Sequence, residues 1–231
     1  MAGLPEHLFL NPVWHALHST HRHFAISAGA ACRYPADVAP FAAVAEPSVT
    51  AFEELHSLLV PGESVWIAEA KFLDCPNLAF ETAIECIQMV LPESITPPAD
   101  AAVGIVPLSC ADARAMVVLT DLAFPGFFRL KTCEMGSYYG VFASGELVSM
   151  SGERMMLHGY PEVSGVCTHP EYRGKGYAAA LIWQVVRDHR RDGLVSWLHV
   201  SAGNRHAIEL YQRMGFKEAR RLVYHRISRR G

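Results

Sequence analysis

The sequence predicts an α/β fold, of the α+β kind with a mixed sheet. In its second half, helix-like and strand-like segments alternate as helix, β-hairpin, strand, glycine-bearing loop, helix, strand, helix, strand. Within that order, His169-Pro170-Glu171-Tyr172-Arg173-Gly174-Lys175-Gly176 lies between a β-branched apolar run, Val163 to Thr168, and an apolar-periodic one, Ala178 to Val186. The chain has 231 residues, 51% hydrophobic and 19% charged, enough for one large domain or two small ones with a buried core.

The N-terminal elements are short. Leu8 to Leu17 reads as a helix around Asn11-Pro12, and His23 to Cys32 as a strand rich in small residues. Tyr34-Pro35 and Ala39-Pro40 mark a turn. Ser48 to Leu59 is a helix capped by Ser48 or Thr50, with Glu53-Glu54 in its first turns. Val65 to Ala68 and Ile84 to Val90 are strands. Three prolines in residues 92–101 suggest a linker, which divides an N-terminal α/β region, 1–95, from a second domain, 100–231.

Past that stretch, Val103 to Leu108 is a strand, and Ser109 with Asp112 three residues on caps a helix from Ala113 to Leu122. Gly126-Phe127-Phe128 is an aromatic loop that either folds under the domain or lines an acceptor site. Tyr138 to Ala143 and Glu146 to Met156 form a hairpin across Ser144-Gly145. Glu162 to Thr168 is the next strand, and Gly174 to Asp192 the helix after it. Val195 to Val200, Arg205 to Met214 and Arg221 to Ile227 complete the series as strand, helix and strand. The arginines from 220 to 230 fit a solvated edge strand and tail.

The loop at 173–176 carries the chemistry. A helix start presents unpaired N–H groups and partial positive charge, Gly174 and Gly176 admit close approach of an anion, and Arg173 and Lys175 add charge. This is a pyrophosphate cradle. GxxxxGK[ST] is missing, which excludes a P-loop, and the spacing after Gly176 and the position behind a hairpin do not suit a dinucleotide fold.

In its element order and motifs, the chain resembles the GNAT superfamily of acyl-CoA-dependent N-acyltransferases. Arg173-Gly174-Lys175-Gly176-Tyr177-Ala178 satisfies the signature [RQ]-x-x-G-x-[GA], and Asn204 to Phe216 looks like the family's Asn-x-x-Ala-x-x-x-Tyr-x-x-x-Gly-Phe element. The resemblance covers about residues 100–231 and implies a splayed central sheet, preceded here by a smaller region that is outside the recognisable core or a degenerate copy of it. It also implies that acyl-CoA pyrophosphate sits on the amides of residues 173–178, with the pantetheine arm along Val166-Cys167-Thr168. Asn204 and Ala207 would flank the cofactor arm. Tyr211 would be the general acid that protonates the departing thiolate.

Glu162 is the leading general base, eleven residues before Arg173, as in histone-acetylating members. Glu153 and a water chain are the alternatives. An acyl-enzyme on Cys167 is less favoured than direct transfer, since only His169 stands near in sequence. The expectation is an N-acetyltransferase that moves the acetyl group of acetyl-CoA, its co-substrate, to a primary amine of a small molecule, amino acid or peptide. A non-catalytic acyl-CoA-binding module is the rival. The acceptor would be chosen by the loops at Phe124–Met135 and Met155–Pro161.

A net charge of −3 speaks against nucleic-acid or anionic-membrane partners. No apolar stretch approaches membrane-spanning length, the N-terminus does not read as a signal peptide, and six cysteines lack CxxC spacing, so a cytoplasmic location is expected. No metal site is expected from His15, His18, His21 and His23, which lack a completing ligand set. A homodimer is left open.

Overall fold

Residues 6–68, 75–99 and 103–230 are described by the structure, a computed structural model. Its first part holds α1 (Glu6–Leu10), α2 (Pro12–Leu17), β1 (Ile26–Ala28), β2 (Ala31–Arg33), β3 (Ala42–Val44), α3 (Val49–Ser57), β4 (Ser64–Ala68) and β5 (Leu78–Val90). There follow β6 (Ile105–Leu108), α4 (Ala113–Asp121), β7 (Tyr138–Ala143), β8 (Glu146–Leu157), β9 (Tyr160–Thr168), α5 (Tyr177–Arg191), β10 (Trp197–Ser201), α6 (Arg205–Arg213) and β11 (Lys217–Arg229). Strands β1 to β3 form a small antiparallel sheet. The other eight make one sheet in the order β4-β11-β5-β10-β9-β8-β7-β6, mixed because β9 and β10 alone run parallel.

Local chemistry sets the helix starts. Asn11 caps α2 through Trp14 N at 3.4 Å, with Pro12 in the first turn, and its Nδ2 donates to Val44 O at 2.7 Å. Ser48, the first of the two expected caps, accepts from Ala51 N at 3.1 Å. Ser109 and Asp112 close the expected capping box in the turn before α4. Helix α5 buries Leu181, Ile182, Val185, Val186 and His189, the stripe that 3.6-residue periodicity turns toward the sheet. Helix α4 packs through Met116 and Leu119 into a cluster with Met150 and Cys167.

Two strands are longer than their apolar residues suggest. β5 begins at Leu78 rather than Ile84, because its outer half is exposed on both faces from Phe80 to Ala83, which alternation rules do not mark as strand. β11 begins at Lys217 and is no edge: β4 and β5 flank it, and its arginines reach across, Arg226 to Glu81 at 2.8 Å and Arg221 to Glu85 at 3.2 Å. The edge reading of the C-terminal arginines is therefore corrected.

Strand β5, from before the proline-rich stretch, lies between β10 and β11, from after it. The stretch itself is fastened to α5, since Arg190 Nη2 donates to Leu91 O at 3.1 Å and Pro92 O at 2.7 Å. Its end, residues 100 and 101, falls outside the described residues. Cys110, in the turn before α4, is disulfide-bonded to Cys133, a pairing that the cysteine spacing does not announce.

Candidate active site

A sheet opens a cleft where two neighbouring strands stop pairing. Among the described residues, β9 and β10 match at a single position, Glu162 with Trp197, and diverge beyond it. The cause lies partly in β9, whose register against β8 slips between Met150/Cys167 and Gly152/Ser164. The slipped residue Gly165 has φ +64°, and a Cβ there would meet Met150 Cε and Tyr138 Cε1 at 3.2 Å, so only glycine fits without displacement. The segment after it faces a cavity of about 900 Å³.

That cavity gathers the predicted cofactor residues. Val166, Cys167 and Thr168 form one wall, Arg173 to Ala178 close one end, and Asn204 at the cap of α6, with Ala207 and Tyr211 on it, completes the lining. Gly174 and Gly176 take φ +78° and +79°, with open space around each Cα, so the backbone itself faces the cleft. Gly176 caps α5 without a side chain, leaving first-turn amides available to an anion. Lys175 Nζ sits 4.7 Å from the Tyr172 ring centroid. Asn204 Oδ1 accepts from Ala207 N at 3.2 Å, so its side chain is spent on capping α6 at the cavity wall.

Tyr211 lies one helical turn beyond Ala207 and is 6% exposed, and burial raises its phenol well above its ordinary pKa. It therefore stays protonated at neutral pH. Cys167 is buried too, which pushes its thiol up to about 12 and leaves little thiolate. Its carbonyl accepts from Ser149 Oγ at 3.0 Å.

Glu162 is placed differently from the expectation of a direct base. It does not line the cavity. Its carboxylate, 1% exposed, accepts from Arg154 Nε at 3.0 Å, Arg154 Nη2 at 2.6 Å, Met155 N at 3.2 Å and His199 Nδ1 at 2.8 Å. Burial alone would raise its pKa, but the Arg154 guanidinium and His199 outweigh that and hold it at about 2. Glu153 is engaged elsewhere, with His189 Nε2 at 2.7 Å and Ser137 N at 2.7 Å.

The groups that do face the cleft beside Glu162 are ones the sequence reading missed. His199 and Arg154 line it, with Tyr224 of β11. Gln88 Nε2 donates to Phe9 O at 3.0 Å and reaches His199 Nε2 at 3.1 Å, which makes Nε2 the acceptor and puts the ring proton on Nδ1, toward Glu162. Burial lowers the pKa of His199, so the ring is neutral at pH 7. Tyr224 Oη stands 3.4 Å from the same Nε2. The stretch Met150-Ser151-Gly152-Glu153-Arg154-Met155-Met156 is mixed in polarity and carries no local pattern that singles out Arg154.

The far end of the cleft is aromatic. Phe127 stacks on Trp66 with ring centroids 5.3 Å apart, Phe41 lies 6.1 Å from Phe127 and 5.8 Å from Tyr224, and Phe128 meets Tyr138 edge-on at 5.4 Å. The aromatic loop thus both folds under the domain and lines the cavity.

Comparison with known proteins agrees with this geometry. The acetyltransferase (GNAT) family model matches residues 116–216. A crystal structure from Novosphingobium aromaticivorans, of a protein described as an acetyltransferase from the GNAT family, is 32% identical, covers 96% of this chain and 99% of its own, and superposes with a TM-score of 0.86. A GCN5-related N-acetyltransferase from Kribbella flavida, 17% identical over 100% of this chain and 97% of its own, shares the fold with a TM-score of 0.64. No curated protein matches the chain.

Proposed function

This chain belongs to the GNAT acetyltransferase family, and from that premise we propose that it transfers the acetyl group of acetyl-CoA directly to a primary amine of a small molecule, amino acid or peptide. The observation that carries the reading is one continuous cleft with the glycine cradle at one end, the unpaired edge of β9 along its wall and Tyr211 in its lining. Backbone amides of residues 173–178 hold the pyrophosphate, and the pantetheine arm extends β9 along Val166, Cys167 and Thr168. An amide of that strand polarises the thioester carbonyl as negative charge develops on it.

The amine attacks once it has lost a proton. His199 receives that proton through Tyr224, whose hydroxyl replaces Gln88 Nε2 on the one Nε2 lone pair, and Glu162 acts as a positioning residue that fixes the ring by its Nδ1 bond. Tyr211 then donates its phenolic proton to the CoA thiolate. Direct transfer is preferred over an acyl-cysteine because the Cys167 thiol is buried and protonated. We place the reaction in the cytoplasm, where Cys110 and Cys133 would stand as a thiol pair, with no nucleic-acid or membrane partner; among the described residues no helix is long and apolar enough to cross a membrane.

The test is CoA release from acetyl-CoA with a panel of amines, amino acids and peptides. Turnover with at least one of them is expected. Binding of acetyl-CoA without turnover on any acceptor would instead favour an acyl-CoA-binding module.

A further inference from the structure

Resting on the transfer reading above, we infer that the aromatic end of the cleft is an acceptor subsite for an aromatic α-amino acid, its ring against Phe41, Trp66 and Phe127 and its carboxylate on Arg154. Two features of the cavity argue for this occupant. The first is charge. Among the described residues, none of those lining the cavity is aspartate or glutamate, whereas Arg154, Arg173, Lys175 and Arg213 all line it. Arg173 and Lys175 belong to the cradle loop assigned to the cofactor phosphates, and Arg213 is the last residue of α6. Arg154 is the one at the aromatic end, 4.7 Å from the Phe41 ring centroid.

The second is the state of that arginine. Glu162 takes its Nε and Nη2, while Nη1 has no hydrogen-bond partner among the described residues. The Arg154 side chain keeps 14% exposure and lines the cavity. A guanidinium nitrogen in an apolar setting favours an anionic oxygen, since a charge-assisted bond there is little screened. A polycationic amine would meet an arginine and no wall carboxylate, so this end disfavours it.

The rest of the wall is aromatic. Trp66 and Phe127 lie 27° from parallel, Phe41 is tilted 39° to Phe127, and Tyr224 meets Phe41 edge-on at 64°. Such a wall takes a ring by offset or edge contact, each worth about 0.5–1.5 kcal/mol beyond area burial. The aromatics come from three separate places: Trp66 from β4, Phe41 from the segment beside it through the Phe41–Trp66 bridge, and Phe127 from the loop after α4.

Calorimetry on the CoA-saturated full chain tests the inference with four probes: L-phenylalanine, L-phenylalaninamide, phenethylamine and spermidine. L-Phenylalanine should bind at least about tenfold more tightly than the other three, the difference a charge-assisted hydrogen bond makes. Phe127→Ala, a loop substitution, should weaken phenylalanine about tenfold and leave CoA affinity unchanged. Equal or tighter binding of phenethylamine, the amide or spermidine overturns the inference, as does no binding by any probe or an unchanged affinity in Phe127→Ala. If phenylalanine binds in the expected order but no CoA is released from acetyl-CoA, the subsite stands and the transfer reading fails. If another amine is acetylated while phenylalanine neither binds nor reacts, the transfer reading stands and the subsite fails.

Discussion

Tyr211 and His199 divide the proposed proton traffic, and burial prepares both for it. Desolvation disfavours the charged form of either group, so the phenol keeps its proton and the imidazole keeps its lone pair at neutral pH. Tyr211→Phe removes the donor and leaves the ring. Turnover should fall by roughly 10²–10⁴-fold, while acetyl-CoA affinity measured by calorimetry stays within about twofold. A parallel loss of both would make Tyr211 a packing residue. For His199, protonation destroys the base, and its folded pKa lies below 6.5. The rate at saturating acceptor should therefore hold at pH 7 and decline only as the pH drops below 6.5. His199→Gln should lower the pH 7 rate roughly 100-fold and flatten that acid limb. A mutant that keeps the wild-type limb would place the titrating base elsewhere.

At the scale of elements, the donor end is the work of two glycines at a strand-to-helix junction. Gly174→Ala meets no neighbour within 4 Å but would force alanine into φ +78°, at a cost of about 1–2 kcal/mol. Acyl-CoA affinity should drop at least about tenfold as the loop rearranges, with thermal unfolding lowered by only a few degrees. Retained affinity would mean that the cradle tolerates a relaxed loop. This end was legible in the sequence because its parts are contiguous: the run 166–178 and the stretch 204–211 bring their own neighbours. The base and the acceptor wall were not. Arg154, His199 and Tyr224 meet only because β8, β10 and β11 share a sheet, and Trp66 reaches them through the pairing of β4 with β11. Long-range register has no local signature, and Cys110 with Cys133, 23 residues apart, escaped for the same reason.

For the molecule as a whole, buried titratable groups set the acid limit of stability. His21 is 3% exposed and bonded to Tyr34 Oη at 2.9 Å, and burial holds its pKa at about 4 against 6.5 for a free ring. The unfolded chain thus binds that proton first. Its contribution, roughly 3 kcal/mol, is complete above pH 6.5 and lost as the pH falls toward 4. Glu162 adds a second loss from 4.5 down to about 2. Urea midpoints should be constant from pH 7 to 8 and decline steadily from 6.5 to 4, with the buried His199 adding to the same loss; a flat response there would show that burial holds neither ring neutral. The sheet sets a different limit. A division near residue 95 follows the prolines, yet β5 hydrogen-bonds to β10 on one side and β11 on the other. A fragment spanning residues 100–231 would keep every cradle residue and Tyr211 but lose the strand between its last two. Its apolar residues Leu198, Val200 and Leu222 would then flank a gap. That fragment alone should give no cooperative thermal transition and no acetyl-CoA binding, whereas co-expression with residues 1–99 should restore both. An independently folded 100–231 would instead mean that β10 and β11 can close on each other, and that the N-terminal region is an addition to the catalytic half.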